Sequence, residues 1–234
     1  DAQESRGLGD VYKRQGIVNK MNDYVYHILG CGAIGSSAAT QLCRMGAEVF
    51  SLYDFDIVEE ANIGVSQYNQ SDIGKYKVEA LEEHLAAINP NVIVYTHKKK
   101  FIEYVYTPTG NNRDIVILGF DSMESRLEAV TEVCNKRFPK EYQPQYIIDG
   151  RMGAEHYQQY IIGKPTLSKY KKFWYTDDSG SEEPCNAKAT SYCSNMSGSF
   201  IANAVRKIVM KQPYNVKFSF NFPTMLLQKS SMIS

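Results

Sequence analysis

Residues 26–62 read YHILGCGAIGSSAATQLCRMGAEVFSLYDFDIVEEAN, and this stretch decides the fold. An apolar run of β-favouring residues, Tyr24 to Leu29, leads into Gly30-Cys31-Gly32-Ala33-Ile34-Gly35. A small-residue helical pattern follows with Leu42 and Met45 on one face, and Gly46 ends it. A second apolar run, Val49 to Tyr53, stops at Asp54-Phe55-Asp56. Strand, glycine turn, helix, strand and acid is the order of a nucleotide-binding βαβ unit. Gly30 permits the tight turn, Gly32 lets the backbone approach a phosphate, and Gly35 lets the helix pack on the strand. The N-terminus of the helix adds free N–H groups and the positive end of a dipole. Asp54, 24 positions after Gly30 (54 − 30), stands where a carboxylate accepts hydrogen bonds from a ribose. The turn by itself does not choose between NAD, FAD and ATP.

Outward from this unit, the bulk composition narrows the choices. A chain of 234 residues holds one sizeable α/β domain with a full core. Lys+Arg and Asp+Glu both number 26, so no net field draws the protein to nucleic acid or to an anionic membrane, and any phosphate binding is local. No apolar run approaches the ~20 residues of a membrane span, and no secretory signal pattern is visible, so a cytoplasmic location is expected. Five cysteines without a CxxC pair fit neither a disulfide framework nor a four-cysteine zinc site, and they read as reduced, mostly buried thiols. Residues 1–20 are polar and aperiodic, read as a non-native or disordered leader, and the fold is read over 21–234.

The rest of the chain continues the α/β alternation. After Asp56 comes a loop with Asn62 and Gln67 as candidate polar contacts. Ser71 and Asp72 mark a helix start, and Val78, Leu81, Leu85 and Ile88 form its apolar stripe up to Asn89-Pro90, placing Lys75 and Lys77 in its first turns. A lysine there ordinarily marks a solvated face. Val92 to Thr96 reads as a third strand, and the following His97 to Lys100 as a solubilising basic patch. Asp114 to Gly119 is continuously apolar after its first residue, as in a central parallel strand, and ends at Phe120-Asp121-Ser122. Ligands of such sheets bind at the carboxyl ends of strands, so Asp121 faces the same crevice as Gly32 and Asp54. Ser122 to Phe138 reads as a helix with Arg126 one turn from Asp121, and Gln145 to Asp149 as a strand. Three strand-end aspartates, Asp54, Asp121 and Asp149, suggest a bound Mg²⁺. Gln158 to Gly163 reads as another strand, Lys164 to Pro184 as a long loop, Ser194 to Met210 as a closing helix and Val216 to Phe220 as a last strand.

Four ordered motifs then carry a resemblance. GCGAIG, D-F-D-x-V-x-x-x-N (Asp54, Asp56, Val58, Asn62), G-K-Y-K-V-E (Gly74 to Glu79) and F-D-S-x-x-x-R (Asp121, Arg126) resemble the ThiF/MoeB/HesA family of ubiquitin-activating-type adenylyltransferases. The resemblance implies a single doubly wound, mostly parallel sheet with helices on both faces, in a homodimer. It implies ATP-dependent adenylation of the C-terminal glycine carboxylate of a small ubiquitin-like or sulfur-carrier protein, with Mg²⁺. By the same resemblance Gly30, Gly32 and Gly35 line the phosphates, Asp54 holds the ribose, Asp56, Asn62 and Gln67 lie along the nucleotide pocket, and Lys77 is the family lysine. Asp121 handles Mg²⁺ and the attacking carboxylate. Residues 164–190 correspond to the family's crossover region, and Cys185, which follows the loop, is the candidate nucleophile for a thioester.

The chemistry suits these residue types. Joining a carboxylate to an α-phosphate brings two anions together, so the site must cancel charge and align the reactants, and needs no general base. Three departures stand out. The cross-dimer arginine of the family's N-terminal R-Y-x-R-Q is not assigned, because Arg14 in Tyr12-Lys13-Arg14-Gln15 lies only 16 residues before Gly30 (30 − 14). Val65 occupies the place of the arginine in the family's N-L-x-R-Q, with Arg151 or Lys75 as replacement cations, and the zinc-binding cysteine pairs of many relatives are absent. Two other readings fit part of the same pattern: an NAD-dependent oxidoreductase, which shares the glycine turn and Asp54, and a non-catalytic subunit of a heterodimeric activating enzyme.

Overall fold

The computed structural model describes residue 16 and residues 18–101, 113–135, 139–176 and 190–233. After a short helix α1 (Val18–Met21), strand β1 (Val25–Leu29) forms the middle of the sheet, because its side chains are covered on both faces. Tyr26 and Ile28 join one buried cluster and Leu29 joins the other. Around it stand β2 (Val49–Tyr53), β3 (Ile93–His97), β4 (Asp114–Leu118), β5 (Tyr146–Gly153) and β6 (His156–Gly163), followed by β7 (Tyr214–Asn215), β8 (Lys217–Asn221), β9 (Leu226–Lys229) and β10 (Met232–Ile233). The main sheet has eight strands in the order β3-β2-β1-β4-β5-β6-β8-β9, and β7 pairs with β10 in a small second sheet. Pairing is parallel from β3 through β5 and antiparallel from β5 through β9. The mostly parallel α/β class read from the sequence is the one observed.

Helices α2 (Ala33–Arg44), α4 (Lys77–Ile88) and α7 (Ser191–Val209) supply Ala38, Leu42, Leu81, Leu85, Ile201 and Val205 to the cluster on one face. On the other, Val130 and Val133 of α5 (Met123–Val133) and Tyr170 of α6 (Leu167–Lys171) cover Leu29, Val116 and Leu118. The run of small residues in α2 has a packing reason. A Cβ added to Gly198 of α7 would lie 2.2 Å from the Ser37 Oγ, and the Ser194 hydroxyl donates to the Ala33 carbonyl at 2.9 Å. Two helix backbones approach this closely only across Gly, Ser and Ala.

Several expected boundaries move, each for a local reason. The helix expected from Ser71 begins at Lys77, because Gln70–Asp72 is a 3-10 turn closed by Asp72 accepting from the Asn69 N–H at 2.8 Å, and Gly74 at φ +87° interrupts the helical path. Lys75 therefore precedes the helix. The loop after Asp56 contains a one-turn helix α3 (Glu60–Ile63) with Glu59 and Asn62 as its capping box. The strand expected to stop at Asp149 runs on to Gly153, because β6 pairs with it antiparallel from Tyr146↔Gly163 to Gly153↔His156. Asp149 is thus in mid-strand. The start of the expected long loop is built into the fold by α6, and residues 177–189, with Cys185, lie outside the described residues.

Candidate functional site

Three glycines make the corner at the carboxyl ends of β1 and β4. Gly30, at φ +90°, donates its N–H to the Tyr53 carbonyl at 2.9 Å, and Gly119 donates to the Leu29 carbonyl at 2.8 Å. A Cβ on Gly35 would fall 1.8 Å from the Gly30 carbonyl oxygen, and one on Gly119 would fall 2.8 Å from the same atom. Gly32 differs: a Cβ there would meet nothing within 4 Å. It is the N-cap of α2, with no side-chain cap, so the first N–H groups of that helix are left to a ligand or solvent. The site therefore has an open floor at Gly32 above a closed contact between Gly30, Gly35 and Gly119. Gly119 was a missed contributor, although DIVILG ends on it.

The acids and the lysine are assembled by a short antiparallel pairing of 56–58 with 74–77. Val58 N–H bonds the Lys75 carbonyl at 2.8 Å and Lys77 N–H bonds the Asp56 carbonyl at 2.9 Å. This places Lys77, the first residue of α4, beside the end of β2, where its Nζ meets Asp56 Oδ2 at 2.7 Å. Asp54 accepts the Cys31 N–H at 2.7 Å and the Asp56 N–H at 2.9 Å, which locks the ribose-distance acid onto the glycine turn. Buried Tyr68, also missed in the sequence, braces the arrangement by donating its hydroxyl to the Cys31 carbonyl at 2.6 Å, with the Lys77 carbonyl 3.2 Å from the same oxygen.

The electrostatics follow from burial and these partners. Burial raises the pKa of the Asp54 carboxyl above 3.8, against the pull of Lys77 and the two backbone N–H groups. Burial also works against charge on Lys77, but its bond to Asp56 and the charges of Asp54 and Asp56 outweigh it, and its pKa stands above 10.5. Lys77 is a cation throughout the neutral range, only 8% exposed, at the rim of the glycine turn.

Other expected residues fall into place differently. Asn62 accepts the Glu59 N–H at 2.9 Å as part of the α3 cap. Gln67 bonds the Ser36 hydroxyl through its N–H at 3.2 Å and Asn195 through its amide at 2.7 Å, linking the first turns of α2 and α7. Asp121 is exposed, two residues beyond Gly119 and just before the α5 N-cap Ser122. The expected convergence of three aspartates does not occur: Asp149 is fully buried and bound by Arg126 and Arg151. Arg126 points to it rather than to the crevice. Neither replacement cation reaches the site either, since Arg151 is held by Asp149 and Lys75 by Glu83 at 2.6 Å. Among the described residues no three His, Cys, Asp or Glu side chains group as a metal site. Cys31, Cys43, Cys134 and Cys193 are free thiols, each with its pKa raised by burial: to about 11 for Cys43 and Cys193, to about 12 for Cys134, and well above 9.0 for Cys31. No described helix is long and apolar enough to cross a membrane.

Known proteins resemble this chain to different depths. The ThiF family model matches residues 6–232. Ubiquitin-like modifier-activating enzyme 5 of Rattus norvegicus is 31% identical over 139 residues, covering 53% of this chain and 34% of the relative. The enzyme of the same name from Arabidopsis thaliana is 30% identical over 143 residues, covering 53% and 33%. The matched part is thus about a third of the length of these curated relatives. Among solved structures, E. coli MccB superposes with a TM-score of 0.73 at 16% identity, covering 99% of this chain and 71% of that one. PaaA superposes at 0.69 and 18% identity, covering 99% and 85%. A further structure is of E. coli MccB with ATP, at 0.71 and 16%, covering 92% and 66%. At these identities the structural likeness speaks for the fold.

Proposed function

The chain belongs to the ThiF family, and on that premise we propose that it is an adenylyltransferase that uses ATP and Mg²⁺ to activate the C-terminal glycine carboxylate of a small ubiquitin-like or sulfur-carrier protein. The observation that carries this reading is the placing of a near-buried Lys77 ammonium 2.7 Å from Asp56, with Asp54 anchored to the Cys31 N–H, at the rim of the open Gly32 turn. Such a site offers the donors that an anionic nucleotide needs while it is met by an anionic tail.

In the proposed reaction a carboxylate oxygen attacks the α-phosphorus, the bond to the bridging oxygen breaks, and pyrophosphate leaves with the electron pair. Asp54 accepts the ribose hydroxyls, and the N–H groups at the start of α2 face the phosphates. Lys77 offsets the charge that gathers as the anions close, and Gln67 and Asn62 border the pocket from 59–67. Asp121 suits Mg²⁺ as a single exposed carboxylate, since this ion is commonly held by one or two carboxylates together with substrate phosphates and water. When bound with the triphosphate, Mg²⁺ supplies charge neutralisation.

Homodimer formation and a later thioester on Cys185 belong to the same proposal. Pyrophosphate exchange into ATP that depends on an added glycine-ended partner tests it.

Val65 favours one other reading, a non-catalytic subunit, because it leaves the nucleotide pocket without the arginine of the motif it resembles. Calorimetry that finds a partner bound but neither ATP nor Mg²⁺ would select that reading.

A further inference from the structure

A buried carboxylate in the middle of β5 joins the loop that carries Asp121 to the segment that follows β6. Asp149 is fully buried. Its Oδ1 accepts from Arg126, and its Oδ2 accepts from Arg151 Nε at 2.9 Å, Arg151 Nη2 at 2.7 Å and the Tyr170 hydroxyl at 3.1 Å. Both arginines reach beyond Asp149 to a backbone carbonyl. Arg126 donates to the carbonyl of Phe120, the residue before Asp121, and Arg151 donates to that of Phe173 at 2.8 Å. The Arg151 guanidinium also lies 4.4 Å from the Tyr160 ring centroid and 5.0 Å from that of Tyr175. A direct link completes the set, from Trp174 Nε1 to the Met123 carbonyl at 2.8 Å, at the start of α5.

Stability alone is a weak reason for such a network, because apolar residues of equal volume often stabilise a core as well as buried ions do. What directed donors add is fixed geometry. Here they fix 120–123 against 170–174 through one shared carboxylate. We propose that Arg126, Arg151 and Tyr170 are positioning residues that make the placement of Phe120 and Asp121 depend on the seating of residues 166–174 against the sheet. The kinetic part of this inference rests on the adenylation reading, in which Asp121 meets the metal and triphosphate. Unseating Tyr170 and Phe173 takes the Phe173 carbonyl from Arg151 and the hydroxyl from Asp149 Oδ2, which loosens the carboxylate that Arg126 shares, and the Asp121 loop then shifts.

Tyr170→Phe in the full chain tests this, because it keeps the ring and removes only the hydroxyl. In amide hydrogen exchange, a peptide covering 118–123 should lose protection about fivefold while one from β1 is unchanged. Unchanged protection at 118–123 overturns the proposal. In pyrophosphate exchange the same variant should raise the Mg²⁺ concentration for half-maximal rate severalfold, and a lowered melting temperature with an unaltered Mg²⁺ dependence also overturns it. If wild type shows no pyrophosphate exchange, the adenylation reading falls, and the hydrogen-exchange result alone decides the coupling. Should Tyr170→Phe not fold, Trp174→Phe, at a partly exposed position, is read in the same way.

Discussion

Gly35 lies so close to Gly30 that a side chain on the first would strike the carbonyl oxygen of the second, at 1.8 Å. Gly32, between them in sequence, faces open space. Three glycines of one turn therefore do different work, and substitution separates them.

Gly35→Ala should destabilise the fold by about 3 kcal/mol or more, since backbone, not a flexible side chain, would have to give way. Gly32→Ala should cost far less, about 1 kcal/mol, because an added Cβ meets nothing within 4 Å. The added methyl should still weaken nucleotide binding about tenfold or more by standing where a phosphate approaches. Thermal melts paired with nucleotide titration check both. Equal melting losses for the two variants would contradict the division.

Asp54 should make nucleotide binding sensitive to acid. Its carboxyl is raised above 3.8 by burial, so it takes up a proton as pH falls through a midpoint above that value, and a protonated Asp54 loses one of its acceptor sites for ribose. Affinity is full above this midpoint and declines below it. A binding titration from neutral to acid should show the decline in wild type and not in Asp54→Asn. Lys77 does not contribute to that window, because its raised pKa keeps it charged until well above neutral.

Asp149→Asn should cost about 3–5 kcal/mol, because it leaves Arg126 and Arg151 as buried charges without a counterion. Arg126 and Arg151 are 3% and 6% exposed, so solvent cannot take over. Chemical denaturation measures the loss. A change under about 1 kcal/mol would mean that the network is better hydrated than its burial indicates.

A thioester, if formed, should depend on Cys185 alone. Burial raises the pKa of the four described cysteines, which disfavours the thiolate each would need for attack. Cys185→Ala should abolish a thiol-sensitive adduct with the partner and leave pyrophosphate exchange within about twofold of wild type. An adduct that survives this substitution places the acyl group elsewhere.

The parts of the molecule that were legible in the sequence are those governed by local pattern. The apolar runs at Val49–Tyr53 and Asp114–Leu118 and the stripe of α4 recover their elements, because period and burial coincide there. The glycine turn and Asp54 were legible because fixed spacing carries their geometry. What failed depended on distant partners. Ser71 and Asp72 look like a helix start, and only the positive φ of Gly74 and the pairing of 56–58 with 74–77 show why the helix waits until Lys77. Asp149 reads as a strand end until β6 extends β5 past it, and its two arginines come from positions 126 and 151. Lys77 was marked by its motif, since helical pattern alone gives it a solvated face.

The most direct test of the central claim is pyrophosphate–ATP exchange with a glycine-ended ubiquitin-like or sulfur-carrier partner, comparing wild type with Lys77→Ala. Lys77 is 8% exposed, but its partner Asp56 has a side chain that is 48% exposed and open to solvent, so its removal should lower stability by only about 1–2 kcal/mol. The exchange rate should nonetheless fall about 100-fold, as expected when a cation that meets developing charge is lost. A folded Lys77→Ala protein that exchanges pyrophosphate at the wild-type rate would contradict the account.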